Sequence, residues 1–81
     1  MGPDNPAHLT LEEHQQLGRE LRATHARLLE LSKLAASVYG QHNFAAAAFQ
    51  KSADALERLL ADLQAQAVRD LPGFHLDGIY R

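Results

Sequence analysis

The 81-residue sequence contains neither cysteine nor tryptophan. The absence of cysteine excludes disulfides, thiolate metal sites and thiol catalysis. A chain of this length buries a limited share of its surface, and it usually needs disulfides, a metal or oligomerisation for stability. Because disulfides are excluded, we expect oligomerisation to be the favoured source of stability.

Excess charge and long apolar runs are also lacking. The net charge is −2 with neutral histidines, and the basic residues are spread along the chain, whereas nucleic-acid binding needs a basic patch or stripe. No apolar run approaches the roughly 18 residues that cross a bilayer, and residues 1–6 lack the regions of a secretory signal. We therefore expect a cytoplasmic protein that binds neither nucleic acid nor membrane.

Aromatic residues make up only 6% of the chain, whereas alanine and leucine contribute 14 residues each. Aromatic and β-branched residues favour strands, while alanine and leucine favour helices. The length leaves room for one domain. The composition therefore predicts a single all-α domain.

The first helix is predicted from about residue 11 to residue 39. Thr10 and Glu13 form the pattern of a capping box, in which each side chain binds a backbone N–H that the helix leaves free. Apolar side chains then recur every three or four residues, as in a helix that packs nearly parallel to its neighbours. Gly18 lies inside this helix and costs about 1 kcal/mol relative to alanine. We expect a close helix crossing there.

The second helix is predicted from about residue 44 to residue 70. Gly40 suits the turn after a helix, and Asn43 suits the cap of the next one. Residues 45–48 are four alanines, a smooth surface that lets another helix approach closely. The apolar spacing also continues in phase through the joint, so one unbroken helix of about 60 residues is the alternative. Gly40 and its polar neighbours favour the hairpin.

The apolar stripe on each helix is wider than a two-helix contact requires. We therefore expect two long antiparallel helices, a helical hairpin over residues 10–71, that dimerises into a four-helix bundle. Residues 1–9 are expected to form a flexible lead-in. The predicted interface residues are Leu17, Leu21, Leu28, Leu31, Val38, Phe49, Leu56, Leu60 and Leu63.

Residues 72–81 form a different kind of segment, called the tail below. Pro72 and Gly73 end the second helix and turn the chain. Two interpretations of the tail remain open: it folds back over an open end of the bundle, or it is a short peptide that docks on another protein. Its apolar residues are Phe74, Leu76, Ile79 and Tyr80.

Five histidines raise the possibility of a metal site or a pH response. His14 and His25 are eleven residues apart, about 16 Å along a helix, so they cannot share a metal within one helix. The motifs Glu-x-x-His and His-Glu-x-x-His are absent, as is the serine elbow Gly-x-Ser-x-Gly. We therefore predict no catalytic residue, cofactor or metal site, and we expect the histidines to be partly exposed polar positions beside the apolar stripe.

The sequence thus predicts a non-enzymatic protein–protein interaction module, either a small adaptor or a regulatory subunit. The expected partner is a second copy of the chain, with another protein as a further partner through the tail or through the bundle face near residues 45–48. The alternative is a metal-, ligand- or pH-responsive helical bundle that uses His14, His25 or His42.

Overall fold

The computed structural model describes residues 9–80, most of which belong to two helices. Helix α1 is Leu11–Tyr39 and helix α2 is Phe44–Asp70. The helices pack against each other, and residues 9–80 contain no strand. The predicted all-α hairpin is confirmed, and the alternative of one unbroken helix is wrong. Neither described helix combines the length and the apolar character that crossing a bilayer requires.

Local chemistry sets the ends of the helices. The Thr10 hydroxyl accepts from the Glu13 N–H at 3.1 Å, and the Glu13 carboxylate accepts from the Thr10 N–H at 2.8 Å. The predicted capping box is therefore present. At the joint, Gly40 takes a φ of 101°, and the Asn43 side chain accepts from the Ala45 N–H at 2.8 Å.

The lead-in predicted for residues 1–9 lies outside the described residues except for its last member. The Leu9 N–H donates to the Asp70 carboxylate, with 3.3 Å between the nitrogen and Oδ2. The start of α1 is therefore connected directly to the end of α2.

Small residues form the contact between the helices. Ala35 of α1 and Ala46, Ala53 and Ala67 of α2 are buried, the last two completely. The Ser32 hydroxyl adds a hydrogen bond of 3.1 Å to the backbone carbonyl of Ala46. Because the separation of two helix axes depends on the side chains between them, this contact brings α1 and α2 close together. The larger leucines beside it stay half-buried.

The line of alanine contacts divides the hairpin into two flanks. Gly18 and Arg22 are one turn apart on α1 and therefore share a face. The tail contacts both of them and also Gln64 of α2, so these three residues lie on one flank, which the tail covers. The opposite flank carries Val38 and Leu56. The flank that the tail covers is called the tail flank below, and the opposite flank is called the open flank.

We expect Gly40→Ala to destabilise the hairpin. At a φ of 101° and a ψ of 153° a residue with a Cβ is strained. An added Cβ would meet no atom within 4 Å apart from its chain neighbours, so the destabilisation would come from backbone strain and not from a steric clash. The free energy of unfolding, measured in urea, should fall by about 1–3 kcal/mol. Gln41→Ala, at the exposed next position, is the control; equal losses in both variants would contradict this account.

Candidate functional site

The tail folds back against the end of the hairpin that lies opposite the joint. Leu76, Ile79 and Tyr80 are buried, whereas Phe74 exposes 55% of its surface. The structure therefore has the fold-back arrangement, and one of the four apolar tail residues faces outward. The buried tail residues form one core with Leu60, Ala67 and Leu71.

His14 connects three parts of the chain at this end. The side chain is completely buried. Its Nε2 lies 2.9 Å from Asp70 Oδ2, and its Nδ1 lies 2.6 Å from the Tyr80 hydroxyl. Because an ionised carboxylate can only accept, Nε2 donates to Asp70, and in the neutral ring Nδ1 accepts from Tyr80. The His14 and Tyr80 rings meet edge to face, with centroids 5.6 Å apart.

The electrostatics of this cluster favour an ionised Asp70 and a neutral Tyr80. Burial acts to raise the pKa of the Asp70 carboxyl, but hydrogen bonds from Gln66, His14 and the Leu9 N–H outweigh burial and hold the pKa below its ordinary 3.8. Burial, and then the negative charge of Asp70, raise the pKa of Tyr80 above its ordinary 10.0. An ionised Asp70 can accept from Nε2, and a neutral Tyr80 keeps the hydroxyl proton that it needs to act as a donor.

Helix α1 also contacts the backbone of the tail. A Cβ added to Gly18 would lie 2.0 Å from the Ile79 carbonyl oxygen, so glycine is needed for this close approach. The Arg22 guanidinium donates to the carbonyls of Gly78 and Ile79, at 2.9 Å for the second. His14, Gly18 and Arg22 are four residues apart and form one stripe along α1. The close helix crossing predicted at Gly18 is wrong, because the tail is its close neighbour.

A groove of about 550 Å³ opens beside the tail on the tail flank. His25 Nε2 lies 3.5 Å from the Glu57 carboxylate, which makes an ion pair when the histidine is protonated. Gln64 Nε2 donates to the Leu76 carbonyl at 3.4 Å. Within residues 9–80, the buried side-chain polar atoms without a hydrogen-bond partner are His25 Nε2 and Gln64 Oε1. The groove is lined by Arg22, His25, Glu57, Leu60, Ala61, Gln64 and Tyr80.

The histidines considered for metal or proton binding lie apart from one another. His14 is buried, His25 is half-buried, and His42 is exposed in the joint. The expectation that His14 is a partly exposed polar position is therefore wrong. The described part of the chain brings no three histidine, aspartate or glutamate side chains together in a way that could hold a metal ion. Since His14 exposes no surface, its hydrogen bonds act within the protein.

The predicted interface residues fall into three groups. Leu60 is buried inside the chain, and Val38 exposes 62% of its surface. The other seven are half-buried, and those near the tail pack against its core. The half-buried residues are Leu17, Leu21, Leu28, Leu31, Phe49, Leu56 and Leu63.

Two apolar grooves meet at Phe49 on the open flank, with volumes of about 420 Å³ and about 270 Å³. We call them together the joint groove. Ala45 and Ala48 of the predicted alanine surface line its first part, and Ser52 is its polar member. Four of its large hydrophobic residues, Leu34, Val38, Tyr39 and Phe44, are more than half exposed. The remaining lining residues are Leu28, Leu31 and Ala35.

Comparison with known proteins gives no match: no family model, no curated protein and no solved structure resembles this chain. Its function is therefore inferred from the two flanks themselves. The tail flank is occupied by a segment of the same chain, whereas the open flank presents apolar side chains to solvent.

The sequence patterns did not reveal the cluster of His14, Asp70 and Tyr80. Its members are separated by up to 66 residues, so no local spacing connects them. One signal was present. Gly18 lowers the stability of a helix, and it lies four residues from both His14 and Arg22. This spacing places a residue without a side chain between two polar side chains on one face of α1.

We expect Gly18→Ala to release the tail, although alanine is the better helix former by about 1 kcal/mol. The added Cβ collides with the Ile79 backbone carbonyl. The melting temperature should fall while the helix content, measured by far-UV circular dichroism, is kept or rises, and Tyr80 should become accessible to a fluorescence quencher. Ala26→Gly, at an exposed position of α1, should cost stability without exposing Tyr80. A higher melting temperature with a protected Tyr80 would contradict this expectation.

We expect Asp70→Asn to remove part of the acid sensitivity. Because the folded-state pKa of Asp70 lies below 3.8, its stabilising contribution is present above the unfolded pKa and is lost as the pH falls through the folded pKa. The difference in free energy of unfolding between wild type and variant should therefore shrink between about pH 6 and about pH 3. Asp62→Asn, at an exposed position of α2, is the control. A pH-independent difference at Asp70 would refute the linkage.

Proposed function

We propose that this protein is a non-enzymatic interaction module that self-associates through its open flank. The observation that carries the proposal is the exposure of large apolar side chains there, with Leu34 at 59% and Val38 at 62%. A pair of helices must bury its apolar stripes against another element. The tail does so on one flank, and the other flank keeps its apolar surface available.

The partner that this surface fits best is a second copy of the chain. Helical spacing places Leu31 and Val38 of α1 beside Phe49 and Leu56 of α2 on the open flank. The same spacing turns Lys33 away from it, whereas Arg27, which pairs with Glu30, lies one turn before Leu31 on the same face. A largely apolar surface contributed by two antiparallel helices can pack against its own copy about a two-fold axis. Such a dimer is an antiparallel four-helix bundle.

This mode of association supports the role of a small adaptor or regulatory subunit. A dimer joined through its open flanks directs both tail flanks outward, each with its groove between His25, Glu57 and Tyr80. Its lining combines apolar with polar and charged side chains, as in surfaces that contact partners transiently. One chain would then combine a surface for its own copy with a surface for another protein.

Val38→Glu should abolish self-association without unfolding the hairpin. Val38 exposes 62% of its surface in the single chain, so a charge there costs little until a dimer buries it. In analytical ultracentrifugation, the wild type should sediment as twice 8.9 kDa and the variant as 8.9 kDa. We expect the dissociation constant to rise by about tenfold or more.

Ser37→Glu is the matched control. It adds the same charge at the adjacent exposed residue, which helical spacing directs away from the open flank. The control should therefore dimerise like the wild type. A wild-type protein that remains an 8.9 kDa monomer at about 100 μM would rule out the proposed self-association.

A further inference from the structure

The tail is attached to the helices through side chains. Arg22 and Gln64 donate to tail carbonyls, and the Tyr80 hydroxyl binds His14. The two backbone hydrogen bonds that tail residues 72–80 donate, from the N–H groups of Phe74 and Ile79, are accepted three residues earlier, at residues 71 and 76. Within the described residues, no backbone hydrogen bond joins the tail to α1 or α2. The tail therefore resembles a peptide docked on a preformed surface.

The docking surface belongs to the helices. On α1, the stripe of His14, Gly18 and Arg22 provides a polar partner for a phenol, space for a close backbone and a donor for carbonyl oxygens. The apolar side chains of Ile79 and Tyr80 are 7% and 3% exposed and act as anchors. This surface therefore recognises an aliphatic residue followed by tyrosine, with its backbone lying against α1.

The segment that connects the tail to α2 is short and exposed. Residues 72–75 are all exposed, and Gly73 has a φ of 88°. The tail contacts the helices through residues 76–80. The connector therefore does not itself hold the tail on its own hairpin. A docked element at the end of an exposed hinge is the arrangement in which identical elements exchange between copies of a protein.

We propose that the tail flank is a peptide-docking site whose second occupant is residues 76–80 of another copy of this chain. The intermolecular contacts are those already seen within one chain, so the two states differ mainly in the hinge and in chain entropy. Docking within one chain is favoured by an effective concentration in the roughly millimolar range. Exchange is favoured when copies are concentrated or held together. This association uses the tail flank and is independent of the open-flank dimer.

Two complementary full-length variants test the exchange. Gly18→Ala has a blocked docking surface and an intact tail, whereas Ile79→Asp has an intact docking surface and a disabled tail. An equimolar mixture should form a one-to-one complex, detected by fluorescence anisotropy with one chain labelled at its N-terminus. The apparent dissociation constant should be about 1 mM or lower, and the melting temperature of the mixture should exceed that of either variant alone.

The control separates this association from the open-flank dimer. The double variant Gly18→Ala/Ile79→Asp keeps the open flank but lacks both docking partners, so its mixture with Ile79→Asp contains no functional tail. Any association through the open flank appears equally in this control. If the complex of Gly18→Ala with Ile79→Asp is no tighter than the association in the control mixture, tail exchange is overturned. Tail exchange should persist when Val38→Glu removes the open-flank dimer.

Folding of the variants is part of the readout. If one variant loses helix content alone, recovery of that content on mixing supports the proposal, and no recovery overturns it. A synthetic peptide of residues 72–81 should compete with the Gly18→Ala chain for the Ile79→Asp chain. Binding of the peptide without binding of the Gly18→Ala chain would assign the site to another protein's peptide and overturn exchange between copies.

Discussion

Buried alanines line the contact between α1 and α2, and the arrangement of the two flanks depends on this contact. Ala53 and Ala67 expose no surface, and side chains this small bring the helix axes close together. Leu60 is buried with them, whereas the other leucines of the two helices are half-buried or exposed. Two helices in this arrangement cannot bury their own stripes. The tail covers one flank, and the other flank remains apolar and exposed.

The polar cluster makes docking of the tail selective. A completely buried histidine needs a partner for each ring nitrogen, since a buried polar atom without one costs about 1–3 kcal/mol. Asp70 supplies the acceptor and Tyr80 supplies the donor. Undocking the tail would expose Ile79 and leave His14 without the Tyr80 hydroxyl. Apolar burial and hydrogen bonding therefore favour the same position of the tail.

The features that the sequence predicted well depend on neighbouring residues. Thr10, Glu13 and Asn43 act within one turn of their helix ends, and Gly40 acts through its own backbone. The tail site depends on residues 56 to 66 positions apart, which no periodic pattern connects. Gly18 was recognised as an unfavourable helix residue, but a single sequence does not say which element approaches it. The dimer stays a prediction, since the structure contains one chain.

The alanine contact has a consequence for how the two helices are aligned lengthwise. Alanine surfaces resist sliding less than large interlocking side chains do, so other contacts contribute to the alignment. The alignment is fixed at both ends of the hairpin. At one end it is fixed by the short joint and the hydrogen bond from Ser32 to Ala46, and at the other by the bonds of His14 and the Leu9 N–H to Asp70. A slip of one turn, about 5.4 Å, would break these bonds. The alignment at the tail end, about 40 Å from the joint along α2, therefore depends on side-chain hydrogen bonds to Asp70 rather than on the chain connection.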